Sequence, residues 1–131
     1  LTADLADKVV VHGLVSSKED LKVIYDNADA FVFTSHDEGF PRVLYEAMAS
    51  GLPIFTTFVG GIPGRMIDGE NCFGIPVKDS KNSADVICKA LEDVGKMKLV
   101  AKSAQSMLHD ILDGELLSHE ELLIKVLNNE V

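Results

Sequence analysis

Apolar residues follow two rhythms along this chain. Up to residue 79, short β-branched or aromatic runs alternate with stretches at helical spacing; from residue 80 onward the spacing is helical throughout. Val9-Val10-Val11, closed by His12-Gly13, reads as a buried strand. Ser16 and Glu19 have the spacing of a capping box, with Leu21, Ile24, Tyr25 and Ala28 at helical intervals behind them. The next strand is Ala30–Thr34, which runs into the polar loop Ser35–Gly39. Pro41 suits the first turn of a helix, where its missing amide hydrogen would go unpaired in any case. Leu44, Ala47 and Met48 give that helix an apolar face, and Gly51 reads as its cap.

A third strand is predicted at Pro53–Thr57 and a short helix at Ile62–Ile67. A turn follows at Asp68–Asn71. The fourth strand, Phe73–Val77, contains Pro76 and therefore belongs near a sheet edge. Three helices follow: Val86, Ile87, Ala90, Leu91 and Val94, ended by Gly95; Leu99, Val100, Met107, Leu108, Ile111 and Leu112, ended by Gly114; and Leu122, Leu123, Val126 and Leu127 behind a Ser118/Glu121 capping box. Alternating strands and helices predict an α/β fold. The expectation is a partial Rossmann-like parallel sheet of about four strands with flanking helices and a helical C-terminus. Residues 1–131 read as one domain, with a βα core over 1–79 and helices over 80–131.

Composition narrows the function. With 47% hydrophobic residues the chain can build a core, which excludes intrinsic disorder. The net charge of −9 is spread along the chain, −6 over residues 1–79 and −3 over 80–131. An acidic domain of this kind argues against nucleic acid as a partner. Cys72 and Cys88 stand apart from any Cys/His cluster, so they read as buried thiols of a cytoplasmic protein. No apolar run approaches the ~20 residues of a spanning helix, and the expectation is a soluble protein.

In open parallel sheets, ligands bind at the carboxyl ends of the strands. That rule selects the loops at 12–16, 34–41, 57–64 and 77–82, of which the second is the richest. Glu38 sits in this loop and Glu46 on the following helix, with the amides of Arg42, Val43 and Leu44 between them. Free amides and the positive end of the helix dipole suit an anion, and the Arg42 side chain adds a bidentate partner for phosphate. Two carboxylates suit sugar and ribose hydroxyls instead, so the set fits a nucleotide sugar. The same spacing equally suits a solvated helix carboxylate and a turn residue. Gly60-Gly61 fits a crevice where a backbone without Cβ lets a ligand come close, and fits a plain turn as well. His12 and His36 flank the same crevice, and a loop histidine without a partner is commonly incidental.

The run Glu38–Pro53, together with His12-Gly13, Asn27–Asp29, Ser35, Gly60–Pro63 and Asp68–Asn71, strongly resembles retaining GT-B glycosyltransferases of family 4, the glycosyl transferases group 1. The resemblance covers about residues 8–79. It implies that Glu38 is the catalytic-site carboxylate that contacts the transferred sugar. Gly39, Phe40, Pro41, Arg42, Val43 and Leu44 would form the loop and helix start that hold sugar and diphosphate, with Gly60 and Gly61 in the same crevice. Glu46 would hold the ribose hydroxyls, and Gly13, Leu14 and Val15 would lie near the base. It further implies a UDP-, GDP- or ADP-sugar donor, no cofactor and no metal. The diphosphate would then be stabilised by positive charge and the helix dipole. The intact enzyme would be a hexosyltransferase of polysaccharide or glycolipid biosynthesis, cytoplasmic and in peripheral contact with the inner face of the membrane.

This chain also departs from the family pattern. Gly64 stands where such proteins commonly carry Glu. The family's C-terminal domain has two strands ahead of the Val9–Val11 segment, the first bearing a basic pair, and an N-terminal acceptor domain besides. None of these is among the 131 residues, so the resemblance implies part of an enzyme, inactive alone. Without those strands, residues 9–11 should pair directly with 30–34, or two chains should close the gap as a homodimer. Two other readings are a non-catalytic interaction domain and a nucleotide-sugar epimerase or phosphorylase on the same fold.

Overall fold

A computed structural model of the protein describes residues 3–112 and 117–131. In chain order its elements are α1 (Ala3–Ala6), α2 (Lys18–Asp26), β1 (Phe31–Phe33), α3 (Arg42–Ala49), β2 (Ile54–Thr57), a 3-10 turn (Ile62–Gly64), β3 (Phe73–Ile75), α4 (Ser80–Leu91), α5 (Val94–Ile111) and α6 (His119–Leu127). The sheet is parallel in the order β1-β2-β3, with Phe31 opposite Ile54 and Phe55 opposite Phe73.

The central strand explains the layering. All four residues of β2 are buried, because helices cover both faces of the sheet. Successive side chains point to opposite faces. Ile54 therefore joins a core with Leu44 and Met48 of α3, Leu108 of α5 and Leu122, Leu123 and Val126 of α6. Phe55 turns the other way and packs with Phe73, Ile75, Ala90, Met97 and Val100 under α4 and the first half of α5. The second cover stops short of β1: Val32 pairs with Phe55 and shares its face, yet is 48% exposed.

The sheet has three strands among the described residues, one fewer than expected. Val9–Val11 is irregular chain, and Val10 and Val11 stand 75% and 83% exposed. A β-branched run becomes a strand only when a partner satisfies its backbone, and no strand among the described residues pairs with this segment. It does not pair with β1, whose second edge is open among the described residues. The intrachain half of the edge-closing expectation therefore fails. Pro76 lies just beyond β3, an edge strand, as its missing amide demands.

Several helix boundaries differ from the sequence reading. Ser17, not Ser16, caps α2, its hydroxyl accepting from the Asp20 amide. Gly95 does not end a helix, because Asp93 accepts from the Lys96 amide and starts α5 one residue earlier. The predicted helix at 62–67 is one 3-10 turn, and Leu91, Val94 and Leu99 face solvent. Gly51 follows the end of α3 at φ +65°, the left-handed conformation that glycine adopts without strain. The Ser118/Glu121 capping box is formed in full. The stop expected at Gly114 lies outside the described residues. Of the two free cysteines, Cys72 is buried and Cys88 exposed, which corrects the expectation for Cys88. Burial and the nearby Asp68 push the Cys72 thiol up to about 12.

Candidate functional site

The loop between β1 and α3 is anchored from three sides. Thr57, at the end of β2, donates its hydroxyl to the Ser35 carbonyl at 2.6 Å. The Gly61 amide is shared between the carbonyls of Glu38 and Gly39, each at 3.1 Å. Ser35 donates its own hydroxyl to Glu38 Oε1 at 2.9 Å, which fixes one oxygen of that half-buried carboxylate.

Eight positions on, Glu46 lies on α3 and is also half-buried. Its Oε2 accepts a 2.7 Å hydrogen bond from the phenol of Tyr25 on α2. Tyr25 is 6% exposed, and its ring stacks 6.1 Å from Phe31 of β1. Between the two carboxylates α3 begins, with Pro41 at its N-cap and no side chain capping it. The amides of Arg42 and Val43 have no acceptor one turn back along the helix, the ordinary condition of a helix start. Each carboxylate thus keeps an oxygen for another donor, and the helix end between them is open to an anion.

Three parts of the sequence reading change here. The Leu44 amide is taken by the Pro41 carbonyl at 3.1 Å, leaving two open amides rather than three. The Arg42 guanidinium turns away from the loop and donates to the carbonyls of Val126 at 2.7 Å and Val131 at 3.4 Å. It thereby satisfies the carbonyl end of α6, where the dipole favours a cation, and only its backbone remains at the candidate site. Gly60 and Gly61 do lack Cβ for the sake of a close approach, but the approaching group is the chain itself. A Cβ on Gly60 would lie 1.6 Å from the Glu38 carbonyl oxygen, and one on Gly61 would lie 2.8 Å from that of Gly39.

Gly13, Leu14 and Val15 are not gathered with the glutamates. They belong to irregular chain, Leu14 is 94% exposed, and Leu14 and Val15 line a separate cavity of about 430 Å³ against Asp20, Val23 and Ile24 of α2. With Val9–Val11 not a strand, 12–16 is not a loop at a strand's carboxyl end. A larger cavity, about 540 Å³, does sit at the carboxyl ends of all three strands, lined by Val32, Thr34, His36, Thr57 and Ser80. Neither glutamate lines it. Its floor is the part of the sheet that α4 leaves uncovered, so its size reflects missing cover as much as a shaped site. At Gly64 an added Cβ would meet nothing within 4 Å, so packing does not require glycine there. Beside it, Arg65 holds its guanidinium 5.1 Å over the Phe40 ring and 5.7 Å over that of Tyr45.

The pattern of the glycosyl transferases group 1 family matches residues 1–107. The chain belongs to that family. It is 28% identical over 107 residues to the capsular polysaccharide biosynthesis glycosyltransferase CapM of Staphylococcus aureus, covering 82% of this chain and 28% of CapM. Among solved structures it resembles the C-terminal domain of the group 1 family protein LpcC from Francisella tularensis. There the TM-score is 0.71 and the identity 26%, over 82% of this chain and 55% of that one. It also shares the fold of Anabaena HepE in complex with UDP and glucose, with a TM-score of 0.74 at 24% identity over 96% of this chain and 32% of HepE. The GT-B architecture is thus established for this chain. No helix among the described residues is long and apolar enough to cross a membrane.

Tyr25 is the residue that sequence reading missed, since its helical spacing marked it as core. Burial first, and then its bond to Glu46, raise the phenol above its ordinary value of 10.0. A group held protonated in the fold contributes stability that is complete below pH ~10 and lost as the pH rises beyond it. Titration of tyrosinate absorbance should therefore show Tyr25 silent through pH ~10, with Tyr25→Phe leaving that part of the curve unchanged. A Tyr25 signal appearing at or below that pH would mean the phenol is neither buried nor bonded as described.

Proposed function

We propose that this chain is the donor-binding portion of a retaining glycosyltransferase that moves a hexose from a nucleotide-diphosphate sugar to an acceptor hydroxyl. The observation that carries this reading is the pair Glu38 and Glu46, each steadied by one hydroxyl donor, flanking the uncapped start of α3. Glu38 contacts the transferred sugar, with Gly39, Phe40 and Pro41 shaping the loop beside it. The amides of Arg42 and Val43 receive the diphosphate, whose charge the helix end stabilises as the leaving group departs. Glu46 accepts from the ribose hydroxyls. Membership of the group 1 family supports the reaction class, and HepE, crystallised with UDP and glucose, supports a nucleotide-sugar donor.

The acceptor side and the basic pair for the diphosphate come from sequence outside these 131 residues, and the chain alone does not transfer sugar. The open edge of β1 pairs with a strand from that sequence or from a second copy. Polysaccharide or glycolipid assembly at the inner face of a membrane is the setting proposed for the whole enzyme.

The test is thermal unfolding in UDP, GDP and ADP and their sugar conjugates at millimolar concentration. A ligand at 100 times its dissociation constant stabilises by about 2.7 kcal/mol, a rise of several degrees for a domain of this size. One base should raise Tm, and Glu46→Ala should remove the rise. No shift with any nucleotide would refute donor binding by this chain.

A further inference from the structure

We infer that Tyr25 is a positioning residue for the donor, holding Glu46 so that its second oxygen is presented to the ribose. This rests on the reading of Glu46 given above, and it assigns a role to a side chain outside the Glu38–Glu46 loop and helix. The geometry is specific. Tyr25 Oη lies 2.7 Å from Glu46 Oε2, and Oε1 has no partner among the described residues. A carboxylate on an exposed helix face samples several rotamers, and an oxygen aimed by chance binds a diol weakly. Here one oxygen is tied to a phenol, and the phenol is itself immobile. Its ring is buried in the core that also holds Leu44 and Met48 of α3 and stacks on Phe31, and α2 is set by the Ser17 cap. The cost of ordering Glu46 is therefore met in folding rather than on binding.

The experiment is calorimetric titration of the full chain with UDP, GDP and ADP, and with the 2′,3′-dideoxy form of each. Wild-type protein should bind one ribose form at least about tenfold tighter than its dideoxy counterpart, and Glu46→Ala should erase that preference. Tyr25→Phe keeps the ring and removes only the hydroxyl. It should weaken the ribose form about fivefold, leave the dideoxy form within about twofold, and have no further effect in a Glu46→Ala background. Equal weakening of both forms would mean that Tyr25 is only structural, and unchanged affinity for both would mean that it does not position Glu46. Either result overturns the proposal while Glu46 keeps its role. A wild-type protein with no ribose preference, or no binding, removes the role of Glu46 itself. A second measurement needs no folded variant at this site. With tyrosine labelled at Cζ, the Tyr25 carbon resonance should move when the ribose form binds and stay fixed with the dideoxy form. An unmoved resonance on ribose binding counts against the proposal.

Discussion

Gly60→Ala should cost the protein about 3 kcal/mol or more and lower Tm by roughly 10 °C. Two penalties combine. Gly60 sits at φ +54°, a left-handed conformation that costs an L residue about 1–2 kcal/mol. The new methyl would also fall 1.6 Å from the Glu38 carbonyl oxygen, inside any permissible contact. The obstacle is backbone, so no rotamer change relieves it and one of the two loops must move. Movement would break the shared hydrogen bond from the Gly61 amide, because both of its acceptors lie at 38 and 39. Glu38 would be displaced with its own backbone, so donor binding should fall along with stability. Gly64→Ala is the control: it adds the same methyl four residues on, in open space, and should stay within about 0.5 kcal/mol of wild type. If Gly60→Ala melts within 2–3 °C of Gly64→Ala by calorimetry, on the scale set by about 1 kcal/mol, the two loops do not meet as described.

The second large effect is expected at Phe55→Ala, with a loss of about 3–5 kcal/mol. Phe55 is fully buried in the central strand and lies 5.0 Å from the Phe73 ring at an interplanar angle of 22°. Truncation removes that stacked contact and leaves a void between the sheet and α4, which the flanking strand and helix cannot collapse into without breaking the ladder. The companion variant is Val32→Ala, on the same sheet face and paired with Phe55 in register, but 48% exposed. It should cost under about 1 kcal/mol, because little cavity forms where little was covered. Urea unfolding should show a large fall in midpoint for Phe55→Ala and a small one for Val32→Ala, each at unchanged slope. Equal losses would mean that β1 is covered on that face in solution.

Most of the fold was legible before the structure. Three of the four expected strands formed within a residue or two of their predicted bounds, because each is an apolar run that a helix-spaced segment follows and can pack upon. Val9–Val11 is also an apolar run and failed, since a strand's backbone needs a neighbour that composition does not supply. The errors at Ser16 and Gly95 share a cause: in each case a neighbouring Ser or Asp reached the orphan amides first.

What the sequence alone determined is whatever depends on near neighbours in the chain. That includes the alternation of strands and helices, the cap of α6, the turn at Gly51, and the placement of Glu38 and Glu46 on either side of a helix start. Only the tertiary structure decided where side chains go when their partners are distant. Arg42 leaves the anion-binding end of its own helix for the carbonyl end of α6, more than 80 positions away. Gly60 exists to admit the backbone at 38, and Tyr25 reaches Glu46 across the contact of α2 with α3. Local spacing sets which face a residue occupies, but burial of polar groups is settled globally, because each must find a partner wherever the packed chain brings one.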